Sequence, residues 1–199
     1  MKYHFELDFK LSAGQDLEEV VGRLGEAGCT DATPGIGVAG EIALTFTREA
    51  PSAQQAITSA IADVKRAVPD AELIEAGPDL VGLTDIAQFV SVTRQNMRKL
   101  MLNNRNDFPA PVHGGTTMIW HLAPVLEWLL ARGYSIEPGL IDVARMTRQV
   151  NLVKELQNLE PTLENRLRAL LAPPKHVRES KESAPAARRS DVPRAAQAR

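Results

Sequence analysis

A short segment, residues 91–106, concentrates side chains that can bind nucleic-acid bases and phosphates: Arg94, Gln95, Asn96, Arg98, Lys99 and Arg105. An arginine guanidinium can hold a guanine edge through two hydrogen bonds, an asparagine or glutamine amide can hold an adenine, and a lysine ammonium pairs with phosphate. The segment contains four basic residues and no acidic one. Because ordinary solvated helix faces mix both signs of charge, this bias favours contact with a polyanion; a plain solvated cationic face is the alternative.

Two short helices are predicted to position these side chains, and the first of them follows Thr84. We expect the Thr84 hydroxyl to cap this helix by accepting from a free amide of its first turn. Its buried face is predicted to consist of three apolar residues: Ile86, Ala87 and Val90. Ser91-Val92 then forms the turn, with Val92 filling the angle between the two helices.

The second helix, residues 93–102, is predicted to begin at a second capping residue, Thr93. Three apolar residues share one side of this helix by the three-and-four spacing rule: Met97, Leu100 and Met101. The polar and cationic residues must then face away from the core: Gln95, Asn96, Arg98 and Lys99. This is the layout of a helix-turn-helix, whose second helix presents its side chains to the major groove.

Residues 108–120 are predicted to form a β hairpin, because Gly114-Gly115 lies between two extended runs. A hairpin at this place is a wing, and three residues near its tip could reach the DNA backbone or minor groove: His113, Thr116 and Thr117. The apolar residues of the hairpin are expected to pack it onto the core: Phe108, Ile119 and Trp120.

The order of these motifs resembles the excisionase and MerR-type winged helix-turn-helix family over roughly residues 80–130. The resemblance rests on four stretches: Leu83-Thr84-Asp85-Ile86-Ala87, Val92-Thr93-Arg94-Gln95-Asn96-Met97-Arg98-Lys99-Leu100, Phe108-Pro109-Ala110-Pro111 and Trp120-His121-Leu122-Ala123-Pro124-Val125-Leu126-Glu127-Trp128-Leu129. It implies sequence-specific binding of double-stranded DNA. The residues expected to bind are Thr93, Arg94, Gln95, Asn96, Arg98, Lys99, Arg105, His113, Thr116 and Thr117.

Residues 1–78 are predicted to form a separate acidic domain with the order β-α-β-β-α-β, the ferredoxin-like pattern. Apolar residues alternate with polar ones in residues 3–11 and 41–47, and weaker strands fit within 29–37 and 71–76. Helices are predicted between these strands, and the second of them is expected to be capped by Ser52. The fold class is therefore α+β.

The motif Gly35-Ile36-Gly37-Val38-Ala39-Gly40 matches G-x-G-x-x-G, yet we predict no nucleotide site there. A dinucleotide site needs a helix to open at the last glycines, so that the helix N-terminus holds the pyrophosphate. Here the motif follows a predicted helix and leads into a strand. It therefore indicates a glycine-rich connection between two strands.

The charge of the chain is uneven: residues 1–82 carry fourteen acidic and six basic residues, although the net charge of the whole is −2. Residues 79–134 are assigned to the winged helix-turn-helix and 135–171 to a helical segment interrupted at Glu160-Pro161. An apolar stripe along that segment favours a homodimer, with folding back onto its own domain as the alternative. The basic residues 172–199 are predicted to be disordered, serving either as loose phosphate contacts or as a solubilising end.

Composition argues against several classes of protein. The single cysteine, Cys29, cannot form an internal disulfide and fits a reducing cytoplasm. The spacing of histidine and cysteine residues does not predict a metal site, and no cofactor is predicted. No catalytic set of residues is recognisable in the sequence, so an enzyme is not predicted. No apolar run approaches the roughly 20 residues that span a membrane, and the first residues lack the apolar core of a signal peptide.

The sequence thus predicts a cytoplasmic, nucleoid-associated transcriptional regulator that binds DNA through residues 93–102 and a wing at 108–120. The alternative is a protein-interaction module, similar to an antitoxin, whose acidic front domain binds a partner and whose helix-turn-helix regulates its own gene. A small-molecule effector at the front domain is a third interpretation, based only on analogy with other proteins of that fold.

Overall fold

The alternating apolar residues of the front half form one face of a four-stranded antiparallel sheet in the computed structural model, which describes residues 1–35 and 38–172. The elements of this half are β1 (Lys2–Lys10), α1 (Leu17–Glu26), β2 (Ala32–Gly35), β3 (Glu41–Glu49), α2 (Ala53–Ala67) and β4 (Glu72–Gly77). The strand order is β2-β3-β1-β4. These elements and the helices that follow confirm the predicted α+β class.

The period of two in β1 fixes which side chains enter the core. Its buried residues are Tyr3, Phe5, Leu7 and Phe9, and they lie under α1 and α2 in one apolar cluster. Phe5 pairs in register with Phe46 of β3, and the two rings stack with centroids 5.1 Å apart. Slipping the register by one residue would turn this whole row toward solvent, so burial specifies the pairing.

The predicted caps of the front half are confirmed at Ser52, whose hydroxyl accepts from the backbone N–H of Gln55 at 3.2 Å. The glycine-rich motif also lies where predicted, since β2 ends at Gly35 and β3 begins at Glu41. Its second and third residues, 36 and 37, are outside the described part of the chain. A connection between strands has no helix N-terminus behind it to hold a phosphate.

Two acidic residues of this half, Asp31 and Asp63, form a cluster around Arg48. The Arg48 guanidinium is 7% exposed and bonds both carboxylate oxygens of Asp31, at 2.7 and 3.0 Å, and Asp63 at 2.8 Å. These hydrogen bonds raise the pKa of Arg48 despite its burial. A buried cation needs such partners to offset its lost hydration.

The second half of the described chain begins with a strand that the sequence did not predict, β5 (Leu80–Val81). Its further elements are α3 (Leu83–Phe89), α4 (Arg94–Asn103), β6 (Trp120–His121), α5 (Leu122–Leu130) and α6 (Leu140–Leu156). Strands β5 and β6 pair antiparallel. A second apolar cluster lies among these helices, with Trp120, Leu122, Leu126 and Met97 almost completely buried.

Helix α6 packs against both clusters through adjacent residues. Val143 belongs to the cluster of the front sheet, and Ala144 belongs to the cluster of the second half. Met1–Leu159 accordingly form one compact unit. The domain limits near residues 78 and 134 remain predictions, since a shared helix can join two cores that fold separately.

The remaining described helix, α7 (Pro161–Leu171), belongs to a second unit, Glu160–Arg199. Pro161 occupies the first position of this helix, where a backbone N–H would have no partner within the helix. None of its residues is buried, and the exposed leucines include Leu163, Leu167 and Leu170. The prediction of disorder for residues 172–199 concerns residues that lie, except for the first, outside the described part of the chain.

Asp79 is the buried acid among the described residues, and both oxygens of its side chain have hydrogen-bond partners. Oδ1 pairs with His121 Nδ1 at 2.7 Å, and Oδ2 accepts a hydrogen bond from Asn151 Nδ2 at 2.9 Å. Asn151 also bonds the backbone N–H and C=O of Ala76, at 2.8 and 2.9 Å. Thr147 donates to the Pro78 carbonyl at 2.8 Å. Helix α6 is thereby bonded to the segment that joins the two halves.

Replacing Asn151 with alanine should destabilise the protein by about 2–4 kcal/mol, because it leaves buried backbone groups and one oxygen of a buried carboxylate without partners. The free energy of unfolding in urea measures this change. Gln149→Ala, at an exposed position of the same helix, is the matched control and should change stability by less than about 0.5 kcal/mol. Equal stabilities for the two variants would contradict the role given to the Asp79 network.

Candidate nucleic-acid interface

Helices α3 and α4 are joined by a tight turn that fixes the angle between them. The Val92 N–H donates to the Ala87 carbonyl at 2.9 Å, and the Ser91 N–H donates to the Gln88 carbonyl at 3.1 Å. Ser91 itself has a φ of 53°, in the left-handed region that residues other than glycine seldom adopt. The predicted turn at Ser91-Val92 is therefore confirmed, and its backbone is closed by hydrogen bonds.

The predicted cap of α3 is wrong. The helix begins at Leu83 with Gly82 in the capping position, and Thr84 lies inside the first turn, where its side chain is exposed. The Asp85 carboxylate accepts from the Gly82 N–H at 2.8 Å. A carboxylate in the first turn can satisfy a free amide as well as a capping hydroxyl does, so the Thr84 signal was misleading.

The cap of α4 is the one predicted. The Thr93 hydroxyl accepts from the backbone N–H of Asn96 at 3.2 Å. Met97 and Met101 are buried and Leu100 is half-buried, which anchors one side of the helix in the second apolar cluster. The remaining predicted residues of α4 are all exposed: Arg94, Gln95, Asn96, Arg98 and Lys99. We call the surface formed by these five residues the α4 face.

In the described part of the chain, the basic residues of this region have no acidic partner. Within the described residues, no ion pair involves Arg94, Arg98, Lys99 or Arg105, whereas Arg48, Arg145 and Arg168 each pair with a carboxylate. Cations that are already exposed and unpaired keep their full attraction for an anionic ligand. The α4 face and Arg105 therefore form a patch of one sign of charge.

The segment predicted to form the hairpin, residues 108–120, is a narrow loop with little strand pairing. Residues 113 and 119 form a single bridge, in which the Ile119 N–H donates to the His113 carbonyl at 3.1 Å. The Val112 N–H donates to the Ile119 carbonyl at 2.8 Å. His113, Thr116 and Thr117 are exposed, as predicted for residues near a tip. The hairpin ladder is thus shorter than residues 108–120, because β6 pairs instead with β5.

An aromatic cluster holds the base of this loop. The Phe108 ring packs edge-on against Trp120 and Trp128, with centroids 6.0 and 5.0 Å apart. The Trp120 indole N–H donates to the Pro109 carbonyl at 3.0 Å. The sequence predicted that Phe108 and Trp120 pack onto the core. In the structure these aromatic residues also hold the base of the loop against the second apolar cluster.

A groove of about 840 Å³ lies between the outer face of the sheet and α3. Its lining includes no basic residue and six acidic ones: Glu6, Asp8, Glu75, Asp79, Asp85 and Glu137. Burial, with help from Glu6 and Glu41, raises the pKa of Asp8. Burial, Asp8 and Asp79 raise the pKa of Glu75. DNA phosphates would be repelled here, so the acidic groove limits which side of the molecule can approach a duplex.

The described residues offer little for other chemistries. No group of three or more histidine, cysteine, aspartate or glutamate residues among them could hold a metal ion. In residues 1–35 and 38–172, no helix has the length and apolarity required to cross a membrane. Cys29 is buried, and burial raises the pKa of its thiol, which disfavours the reactive thiolate.

Comparison of the chain with protein-family models, with curated proteins and with solved structures finds no match. A function for this chain must therefore be inferred from its own geometry. The geometry to be explained is an exposed, unpaired cationic and amide surface on a helix that is anchored by methionines and flanked by a short loop.

Proposed function

We propose that the protein is a sequence-specific, double-stranded DNA-binding transcriptional regulator. The observation that carries this proposal is the α4 face, because five side chains able to bind bases and phosphates point away from buried Met97 and have no acidic partner. In this proposal, α3 and α4 form the helix-turn-helix, α4 enters the major groove, and residues 112–119 act as the wing.

The side chains divide by chemistry into those that read bases and those that bind the backbone. Gln95, Asn96 and Arg98 would read base edges, since amides fit adenine and guanidinium fits guanine. Arg94, Lys99 and Arg105 would bind phosphates, which sets register and makes affinity depend on salt. Thr93 would stand at the entry of the helix, next to the backbone. The wing residues that would touch the backbone or minor groove are His113, Thr116 and Thr117.

The architecture supports the finer description of the fold. The order β2-β3-β1-β4, with helices α1 and α2 between the strands, is what a ferredoxin-like front domain would have. The sequence of β5, α3, α4, the short loop, β6 and α5 is what a winged helix-turn-helix would have. The excisionase and MerR-type resemblance remains a proposal based on the motifs.

A homodimer is part of the proposal. On α6 the side chains of Leu152, Val153 and Leu156 are exposed, and α7 exposes a row formed by Leu163, Leu167 and Leu170. A helix of eleven residues with no buried side chain is not stable alone in water, so α7 needs a partner surface. A second copy supplies one, and a two-fold dimer would place two recognition helices on one duplex.

The acidic groove favours the interaction-module alternative, in which a basic protein partner binds the front domain and α4 serves autoregulation. Both functions use the α4 face in the same way. The two functions differ in whether a basic protein partner co-purifies with the chain.

Arg98→Ala should reduce the preference for a specific site, while Lys99→Ala should weaken binding to all duplexes. We expect Arg98→Ala to lose about 1–3 kcal/mol on a duplex that the wild-type protein selects from a random pool, and little on unrelated DNA. Lys99→Ala should weaken both and reduce the slope of log affinity against log salt by about 1. Fluorescence anisotropy titrations at several salt concentrations measure these quantities.

The matched control for these two variants is Arg23→Ala, an exposed arginine at the end of α1, which should leave DNA affinity unchanged. Equal losses for Arg98→Ala and Lys99→Ala on both kinds of duplex would show that the two residues do not divide base reading from phosphate binding. Absence of binding at low ionic strength would rule out the proposed function.

The purified protein should have twice the 21.7 kDa mass of one chain in solution. Leu167→Glu should shift the mass toward one chain, because it places a charge within the exposed leucine row of α7. Val38→Glu, at an apolar residue 58% exposed between β2 and β3, is the control and should remain dimeric. Light scattering after size exclusion measures the mass. A monomeric wild-type protein contradicts the dimer, and a tightly bound basic protein in the peak favours the interaction module.

A further inference from the structure

The first acidic residue after α4, Asp107, is removed from the patch of unpaired cations by contacts with two other residues. Its carboxylate pairs with the Arg132 guanidinium and accepts a hydrogen bond from the Trp128 indole N–H at 3.3 Å. The Arg132 guanidinium lies over the Trp128 ring, 3.6 Å from its centroid. Asp107, Arg132 and Trp128 thus form one contact group, which we call the Asp107 clamp.

Three consecutive residues, 107 to 109, are held by side-chain contacts, and the Asp107 clamp is the first of these contacts. Phe108 packs against two tryptophan rings, and the Pro109 carbonyl accepts from the Trp120 indole. These contacts hold the segment between Arg105 and the wing. Of the three held residues, Asp107 alone carries a charge. Its charge would oppose a nearby phosphate if Arg132 did not neutralise it.

We propose that Arg132 is a positioning residue for DNA binding, which holds Asp107 against Trp128 and so keeps a free carboxylate out of the path of the DNA backbone. The inference rests on the proposed function. Arg132 acts here through Asp107 and not by touching DNA, because its guanidinium is already engaged by the carboxylate, the indole ring and the Trp128 carbonyl at 3.4 Å.

The position of the Asp107 clamp makes this effect specific to binding. Asp107 lies two residues after Arg105, the last of the unpaired cations, and its side chain is 61% exposed, so its charge reaches solvent. An exposed ion pair of this kind contributes little to folding. Its consequence is therefore expected in DNA affinity and in the salt dependence of that affinity, more than in thermal stability.

A double-mutant cycle separates an action through Asp107 from direct contact with DNA. On a duplex selected by the wild-type protein, Arg132→Ala should weaken binding by about tenfold. Asp107→Ala should bind at least as well as wild type, because it removes the same carboxylate. The double variant should recover to within about twofold of Asp107→Ala. Arg132→Lys, which keeps a cation near Asp107, should retain most of the affinity.

Two further variants complete the experiment. Arg145→Ala breaks an exposed arginine–carboxylate pair between α6 and α5 and should leave affinity unchanged. Arg132→Gln keeps a long side chain over Trp128 without its charge and replaces Arg132→Ala if that variant unfolds. Thermal unfolding of every variant identifies losses of affinity that come from misfolding.

The outcomes distinguish the inference from the proposed function. A double variant as weak as Arg132→Ala means that Arg132 binds phosphate directly and overturns the inference alone. Unchanged affinity in Arg132→Ala, with the protein folded, also overturns the inference alone. Failure of the wild-type protein to bind any duplex overturns both.

Discussion

Burial of the Asp79 carboxylate is the constraint on which the arrangement of the described chain depends. The side chain is 1% exposed, and a carboxylate removed from water must have hydrogen-bond partners on both oxygens. His121, at the start of α5, supplies one and Asn151, on α6, supplies the other. The joining segment, the strand that follows the wing and the shared helix are therefore fixed to one point, with apolar clusters on either side.

The candidate interface follows from that fixed frame. His121 closes β6, so the segment that carries the wing returns to a set position beside the second apolar cluster. Met97 and Met101 hold α4 in the same cluster, which leaves its cationic and amide side chains outward. Carboxylates line the acidic groove by the front sheet, and unpaired cations occupy the α4 face. In the proposed function, this difference in charge would favour the approach of a duplex at the α4 face.

Patterns that depend on near neighbours could be predicted from the sequence. The alternation of apolar and polar residues predicted β1. The three-and-four spacing predicted that Met97 lies on the buried side of α4, and Thr93 predicted where that helix begins. Asp79 could not be predicted, since its partner Asn151 lies 72 residues away and nothing local marks the pair. Strand β5 has two residues, too few for a period to show. At Gly82, a carboxylate three residues later replaced the expected cap of Thr84, because two local signals competed within one turn.

The most direct test of the α4 face is to follow its arginine side chains by NMR while the full chain is titrated with a duplex that it selects. If the account is correct, the Nε–Hε signals of Arg94, Arg98 and Arg105 shift on binding and those of Arg23 and Arg145 do not. Shifts confined to Arg23 and Arg145, or no shifts at all at low salt, would contradict it.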